Sequence, residues 1–204
     1  MKRIAILVSV LLLQLSVVGA ATADGDSSPG LYLQGAFAMQ ATTGDVKDAL
    51  ESVGSDANFY GGSLAVGYFM TDWLAVQARL QFLSGPNGSA GGGVTLDTWN
   101  MLYTGAVKVY PFNLGGGAGG LLQPYGIFGI GGQTLFGTLS GGGLSATDSD
   151  TAFLIEVGGG LDLMLGSNFG VFGEVTYEYL NDNSLGFDDS TNAVGVNAGI
   201  TYRF

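Results

Sequence analysis

The chain has 204 residues, a formal net charge of −11 and 47% hydrophobic residues. It contains no cysteine and no histidine, which excludes a disulfide framework and thiol chemistry as well as the hydrolytic and metal sites that depend on histidine. The acidic balance also argues against nucleic acid as a partner, because a phosphate backbone attracts the opposite charge.

The first segment has the order of a secretory signal peptide. Its basic, apolar and small-residue parts follow one another as Lys2-Arg3, residues 4–18 and Ala21-Thr22-Ala23. The apolar part is shorter than the roughly 20 residues of a membrane-spanning helix. We therefore expect a signal peptide at 1–23, cleavage after Ala23, and a single domain at 24–204.

Beyond this leader, apolar and polar residues alternate with a period of two, which predicts strands. In the third strand, Leu74, Val76, Ala78, Leu80 and Phe82 share one face, and Ala75, Gln77, Arg79 and Gln81 share the other. The fifth strand is ambiguous in phase because it is rich in glycine. The eight predicted strands are 30–41, 58–70, 73–83, 98–111, 123–137, 151–165, 169–180 and 192–204.

An exported, apolar chain without a spanning helix predicts a barrel, because in lipid only helices and closed sheets satisfy every backbone polar group. The fold class is therefore all-β, an antiparallel up-and-down transmembrane barrel of eight strands. Short turns are periplasmic and long loops extracellular in such barrels. The predicted turns are 71–72, 113–122 and 166–168, and the loops are 42–57, 84–97, 138–150 and 181–191. Ten strands are the alternative if 112–122 or 138–150 is ordered.

Aromatic residues cluster near the predicted strand ends and indicate two interfacial belts. The periplasmic belt is expected to contain Tyr68, Phe69, Trp73, Tyr110, Phe112, Tyr125, Phe169 and Phe204. The extracellular belt is expected to contain Phe59, Tyr60, Phe82, Trp99, Phe136, Phe153 and Tyr179. The simpler alternative is that aromatics favour strands in general.

Charged residues on the strands fall on the face opposite the apolar one, which makes the polar face the interior. We expect an ionic network in the lumen formed by Arg79, Lys108, Arg203, Glu156, Asp162, Glu174 and Glu178. By depth, Arg79 groups with Glu174, Glu156 and Glu178, whereas Lys108 and Arg203 group with Asp162. A packed interior that fixes register is favoured over a conducting or catalytic role, including a glycosidase-like use of Glu174 and Glu178. The 37 glycines are expected to leave room for large neighbours inside.

The remaining acids lie mostly in the predicted loops: Asp45, Asp48, Glu51, Asp56, Asp97, Asp148, Asp150, Asp182, Asp188 and Asp189. Their spacing matches no complete calcium loop, so solvated surface charge is the preferred interpretation. The glycine run at 115–120 lacks the Lys-Ser/Thr of a phosphate loop. No catalytic, metal or cofactor site is predicted.

Two segments resemble the small outer-membrane β-barrel family of Gram-negative bacteria, with its OmpA-type, OmpX-like and opacity-protein members of the porin family. They are the closing Gly199-Ile200-Thr201-Tyr202-Arg203-Phe204 and the hairpin at 66–76; the segment at 124–131 is similar but weaker. The resemblance implies a C-terminal assembly signal at Ile200, Tyr202 and Phe204 that the barrel-assembly machinery reads. It does not extend to the enzymes of this architecture, whose histidine-dependent sites have no counterpart.

The sequence therefore predicts a non-enzymatic, monomeric outer-membrane protein in contact with lipid and lipopolysaccharide. Its role would be structural or surface interaction through acidic loops, with an unidentified surface ligand. Two other classes compete with this interpretation. A small porin-like channel would need a continuous water path past Arg79, and a soluble exported barrel with a lipid-like ligand would need an apolar interior.

Overall fold

The computed structural model describes residues 30–43, 58–85, 88–90, 94–113, 121–141, 144–181 and 191–204. In these ranges the chain forms nine strands and one short 3-10 helix, Pro111–Asn113. No helix among the described residues combines the length and apolar character needed to cross a bilayer. The strands are β1 (Leu31–Thr43), β2 (Asn58–Thr71), β3 (Leu74–Ser84), β4 (Gly88–Ala90), β5 (Val94–Val109), β6 (Leu122–Gly141), β7 (Leu144–Met164), β8 (Phe169–Asn181) and β9 (Thr191–Arg203).

Eight of these strands close into a barrel. The neighbours run in the order β3-β2-β1-β9-β8-β7-β6-β5, and β5 pairs with β3 to complete the circle. All pairings are antiparallel. β4 lies outside this wall and pairs only with the first residues of β5. The predicted eight-stranded antiparallel barrel is therefore confirmed.

The polar side of β3 and of β8 faces the barrel interior. On β3, Gln77, Arg79 and Gln81 are buried, while Phe82 on the opposite side is half exposed. On β8, Glu174 is buried and Val175 is exposed. This arrangement is the reverse of a soluble domain, in which the apolar side would be the core. It matches the phase predicted for the third strand and the interior position predicted for Glu174.

The β6–β7 hairpin is longer than predicted. Residues 138–150 were expected to form a loop, but β6 continues to Gly141 and β7 begins at Leu144. A hydroxyl pair ties the extension together, with Thr138 and Thr147 3.2 Å apart, and a second pair, Thr134 and Thr151, lies just below it at 3.0 Å. At about 3.4 Å per residue, the 20 residues of β6 exceed the roughly 25 Å apolar band of such barrels. Outside that band both faces meet water, so the alternation that marks a strand is lost.

This extension forms a small sheet beyond the barrel rim, which we call the ribbon. It consists of β4 and the ends of β5, β6 and β7 that adjoin it. The pair Gly88↔Leu96 joins β4 to β5, Thr95↔Ser140 joins β5 to β6, and Gly141↔Leu144 joins β6 to β7. The ordered region at 138–150 therefore lengthens existing strands and adds no further strand to the wall.

Four aromatics assigned to the belts lie inside the barrel instead. Phe59, Tyr110 and Tyr125 are almost completely buried, and Phe69 packs against the buried aromatic cluster. The prediction considered distance from the strand end and ignored the phase, which decides between lipid and lumen. Exposed aromatics do occur near both ends: Tyr60, Trp73, Phe82, Trp99, Phe112, Phe153, Phe169, Tyr179 and Phe204.

Candidate functional site in the barrel lumen

Arg79 of β3 lies at the centre of the lumen and reaches two strands on the opposite wall. Its Nη1 lies 2.5 Å from Oε1 of Glu174 on β8, and its Nη2 lies 3.1 Å from Oε1 of Glu156 on β7. All three side chains are buried. A planar guanidinium can hold two carboxylates in this way, whereas a lysine ammonium is a point charge.

Lys108 of β5 is completely buried and lies on the second oxygen of Glu174. Its Nζ is 3.5 Å from Glu174 Oε2 and 3.0 Å from Oε1 of Gln34. It also lies 4.3 Å from the ring centroid of Tyr125, a cation–π contact. The carboxylate nearest to Lys108 is thus that of Glu174, while Asp162, with which the sequence grouped it, interacts with Lys108 through charge.

Arg203 and Asp162 form a separate pair near the chain's C-terminus. Arg203 Nη2 lies 3.2 Å from Asp162 Oδ2 and donates to Oε1 of Gln123 at 2.8 Å. The hydroxyl of Tyr110 donates to the same carboxylate oxygen at 3.0 Å. The Arg203 guanidinium also lies 4.7 Å from the ring centroid of Phe69. This group lies at the end of the barrel that carries the short turns.

Glu178 belongs to a network of amides. Its Oε2 accepts from Nε2 of Gln40 at 2.6 Å, and its Oε1 accepts from Thr176 Oγ1 at 3.2 Å. Gln40 Nε2 also donates to Gln133 at 3.0 Å, and Gln40 Oε1 accepts from Asn100 at 3.0 Å. One glutamine thus connects β1, β5, β6 and β8 across the lumen. The sequence grouped Glu178 with Arg79, and the two interact through charge, while the hydrogen bonds of Glu178 are to these neutral groups.

Neutral side chains therefore make up much of the site, and the sequence prediction did not include them. The ones that bond to the charged groups are Gln34, Gln40, Gln123, Tyr110, Tyr125 and Thr176. Each of them occupies an inward position on its strand or at its end. The phase that assigned Arg79 to the lumen identifies Gln34 and Gln40 as well, since in β1 they share the face opposite Leu33 and Met39.

Glycines make room for the large interior groups. A Cβ on Gly67 would overlap the ring of Tyr32, and one on Gly129 would come within 2.5 Å of Glu156 Oε1. Gly160 and Gly195 stand in the same relation to Tyr125 and Glu178. An eight-stranded barrel is just wide enough to be filled by side chains. At these four positions the large interior group fits because a residue of the adjacent strand carries no side chain.

Buried apolar and aromatic clusters lie toward both ends of the lumen. Toward the loops, a buried cluster is formed by Ala38, Phe59, Leu83, Leu102, Leu154, Leu180 and Ala193. Toward the short turns, the rings of Tyr32, Phe69, Tyr110 and Tyr125 follow one another at centroid distances of 5.3 Å. A void beside Arg79 and Glu174 has a volume of about 10 Å³, which is about the space of a single water molecule.

The described residues contain no group of three or more acids that would hold a metal ion. Of the loop acids, Asp97, Asp148 and Asp150 lie on the ribbon. The other loop acids lie outside the described residues: Asp45, Asp48, Glu51, Asp56, Asp182, Asp188 and Asp189. The predicted signal peptide and the basic residue Lys47 lie outside them as well.

The end of the C-terminal strand is held against the wall, with Asn168 donating a hydrogen bond to the backbone oxygen of Arg203 at 2.7 Å.

The model of the outer membrane protein β-barrel domain family matches residues 10–204. The chain belongs to this family. As a member, it is an outer-membrane protein, which agrees with the apolar exterior and polar interior of its barrel. A search of curated protein sequences finds no significant match.

Solved structures of small outer-membrane barrels share the fold at low sequence identity. The attachment invasion locus protein Ail of Yersinia pestis is 17% identical with a TM-score of 0.59, over 87% of this chain and 99% of Ail. A major outer membrane protein of Thermus thermophilus is 15% identical with a TM-score of 0.58, over 85% and 99%. Neisserial surface protein A is 14% identical with a TM-score of 0.55, over 85% and 97%.

Proposed function

We propose that this protein is a closed surface barrel that acts through its extracellular side and does not conduct solutes. The observation that carries the proposal is the filled lumen. Arg79 joins two carboxylates across the barrel axis, and apolar or aromatic clusters lie above and below it. A steady water path would have to break these contacts, and leaving a buried charge without its partner costs several kcal/mol.

The ribbon supplies the surface for such a role. It extends β5, β6 and β7 beyond the barrel wall and carries Asp97, Asp148 and Asp150. Asp97 and Asp148 are exposed to solvent. The three basic residues among the described ranges, Arg79, Lys108 and Arg203, all point into the lumen. The extracellular side is therefore acidic in its described part, and we infer a partner that presents positive charge.

The charge of the ribbon separates this chain from one of its structural neighbours. Ail of Yersinia pestis has been solved in complex with the heparin analogue sucrose octasulfate, a polyanion. An acidic surface repels such a ligand, so the shared fold does not bring the ligand with it. Surface roles on this scaffold depend on the loops, which vary independently of the wall.

Binding to charged probes tests the surface role. Purified barrel in lipid nanodiscs is expected to bind a lysine-rich peptide and to reject heparin, with binding lost as salt rises toward about 1 M. The triple variant D97N/D148N/D150N should weaken peptide binding at least several-fold. Its matched control is E156Q, which removes a lumen acid and leaves the surface unchanged. Equal peptide binding by all three proteins would contradict the role of the ribbon.

Planar-bilayer recording tests the closed lumen. The purified protein is expected to give no steady single-channel steps. Reproducible steps that change in size in R79L would overturn the proposal in favour of a small channel.

We further propose that residues 1–23 are a signal peptide and that Ile200, Tyr202 and Phe204 are the signal for the barrel-assembly machinery. The three C-terminal side chains are exposed on the outer wall, and Tyr202 and Phe204 pack edge to face at 5.0 Å. We expect the barrel to act as a monomer in contact with lipid and lipopolysaccharide.

A further inference from the structure

The outer wall contains a concave apolar groove at the meeting point of β9, β1, β2 and β3. Its sides are formed by Leu33, Leu64, Leu80, Ile200 and Tyr202. Its volume is about 450 Å³, within the roughly 300–1,000 Å³ range of small-molecule pockets. Most of a barrel wall is convex, so a concavity of this size is a distinct feature of this face.

Small residues create the groove. Gly35 of β1 pairs with Leu64 of β2 on one side and with Ile200 of β9 on the other. Ala78 of β3 pairs with Val66 of β2 one step lower. Because Gly35 has no side chain, the outer surface is recessed at this position. The large side chains of Leu64 and Ile200 project on either side of the recess.

The register places the groove in the half of the barrel that carries the short turns. Leu33 pairs with Tyr202, two residues before the chain's end, and Leu31 accepts a hydrogen bond from the Phe204 amide at 2.9 Å. Short turns mark the periplasmic side of these barrels. The groove therefore opens toward the periplasmic leaflet, which consists of phospholipid, and Tyr202 lies at its lower end, where aromatic residues meet the headgroups.

We propose that this groove is a binding site for one acyl chain of a phospholipid from the periplasmic leaflet. The inference rests on the membrane location of the barrel. It does not depend on the role proposed for the extracellular side. Lipid tails are as apolar as leucine, so burial alone gives no preference for one position on the wall. A hollow lined on several sides gives a chain more close van der Waals contacts than a convex surface does.

A second copy of the barrel fits the groove less well. Eleven described residues line it, whereas a stable protein interface takes about 20–30 residues on each side. Among these lining residues the one charged side chain, Arg79, points into the lumen and leaves the rim without charge. The shape and lining of the groove match a narrow apolar chain.

Filling the hollow tests the proposal. In G35L the new side chain enters open space, because the nearest atom to a Cβ at this position is Leu64 Cδ2 at 3.8 Å. The matched control is G173L on β8, where nothing lies within 4 Å of the added Cβ and the position faces outward. The barrels are purified in mild detergent with phosphatidylethanolamine, and the bound lipid is counted by native mass spectrometry.

Wild type and G173L are expected to retain one phospholipid per barrel, and G35L to retain at most about a tenth of that amount. A heat-dependent gel shift checks that each variant is folded. Equal retention by all three folded proteins, or none by wild type, would overturn the acyl-chain site. A wild-type dimer that G35L converts to monomer would also overturn it in favour of a second copy. None of these outcomes bears on peptide binding by the ribbon, so the two proposals fail separately.

Discussion

At the scale of single residues, each large polar side chain in the barrel interior depends on a neighbouring position that leaves space for it. Arg79 holds Glu156 and Glu174 together because both carboxylates reach it from the facing wall. Glu156 in turn fits because position 129 is glycine. A charged side chain in such a narrow interior is stable only when it has both an oppositely charged partner and a neighbouring residue small enough to leave space for it.

Replacing Arg79 by leucine is expected to lower the free energy of unfolding by about 3–5 kcal/mol, because two buried carboxylates lose their shared cation. Urea titration in lipid vesicles, followed by tryptophan fluorescence, measures this loss. Adding E156Q to R79L should recover part of it, since one stranded charge is removed. An unchanged unfolding midpoint in R79L would show that the ion pairs contribute nothing.

Replacing Gly67 by alanine is expected to destabilise the barrel by about 1–3 kcal/mol, because the added methyl group overlaps the Tyr32 ring in a packed cluster. The control is G173A, where the methyl group meets nothing within 4 Å. There the loss of glycine's backbone freedom should leave stability unchanged or raise it by up to about 1 kcal/mol. The same urea titration compares the two, and equal effects would refute the role of space.

At the scale of elements, the thickness of the membrane does not limit the length of a strand, because β6 and β7 continue beyond the wall. The lower part of β6 and β7 belongs to the wall, while the upper part forms the ribbon with β4. The wall part alternates because lipid and lumen impose opposite requirements on its two faces. The ribbon meets water on both faces, and its strands are held by backbone pairing and threonine hydroxyls.

Shortening the ribbon is therefore expected to leave the barrel intact. Residues 138–147 can be replaced by Asn-Gly, which favours a two-residue hairpin turn, so that Gly137 and Asp148, already paired, flank the new turn. The free energy of unfolding should change by less than about 1 kcal/mol, as surface changes away from the core usually do, and the heat-dependent gel shift should persist. Loss of the folded band would mean that the ribbon is needed to close the wall.

At the scale of the whole molecule, the closed circle of eight strands allows an apolar exterior. Each strand of the wall has two neighbours, so no open edge is exposed to lipid. Closure also explains why the C-terminal strand is paired on both sides, with β1 and with β8. Assembly of the last strand against the first then completes the hydrogen bonding of the entire wall.

The protein isolated from outer membranes is expected to have the mass of residues 24–204 and to migrate differently with and without heating. The first property follows from cleavage after Ala23 and the second from a barrel that resists detergent until heated. Intact-mass spectrometry and unheated gels measure the two separately. A mass that includes residues 1–23 would contradict the signal peptide without affecting the fold.

The sequence by itself determined the eight strands of the wall and the inward face of those that alternate clearly, whereas the glycine-rich fifth predicted strand stayed ambiguous in phase. Arg79, Glu174 and Val175 could be assigned because lipid and a polar lumen enforce a period of two along each strand. Whether a side chain faces the lumen depends on its position within its own strand, so the local sequence pattern is sufficient to assign it.

Only the tertiary structure decided which residues meet across the axis. Lys108 lies 3.5 Å from Glu174, and Gln40 connects four strands, because strand tilt and register set the height of each side chain. Phe59 and Tyr125 are a different case, because their phase, which is a local property, places them inside although they lie near strand ends. The physical reason is that contacts between distant strands depend on closure of the whole sheet, which no local pattern contains.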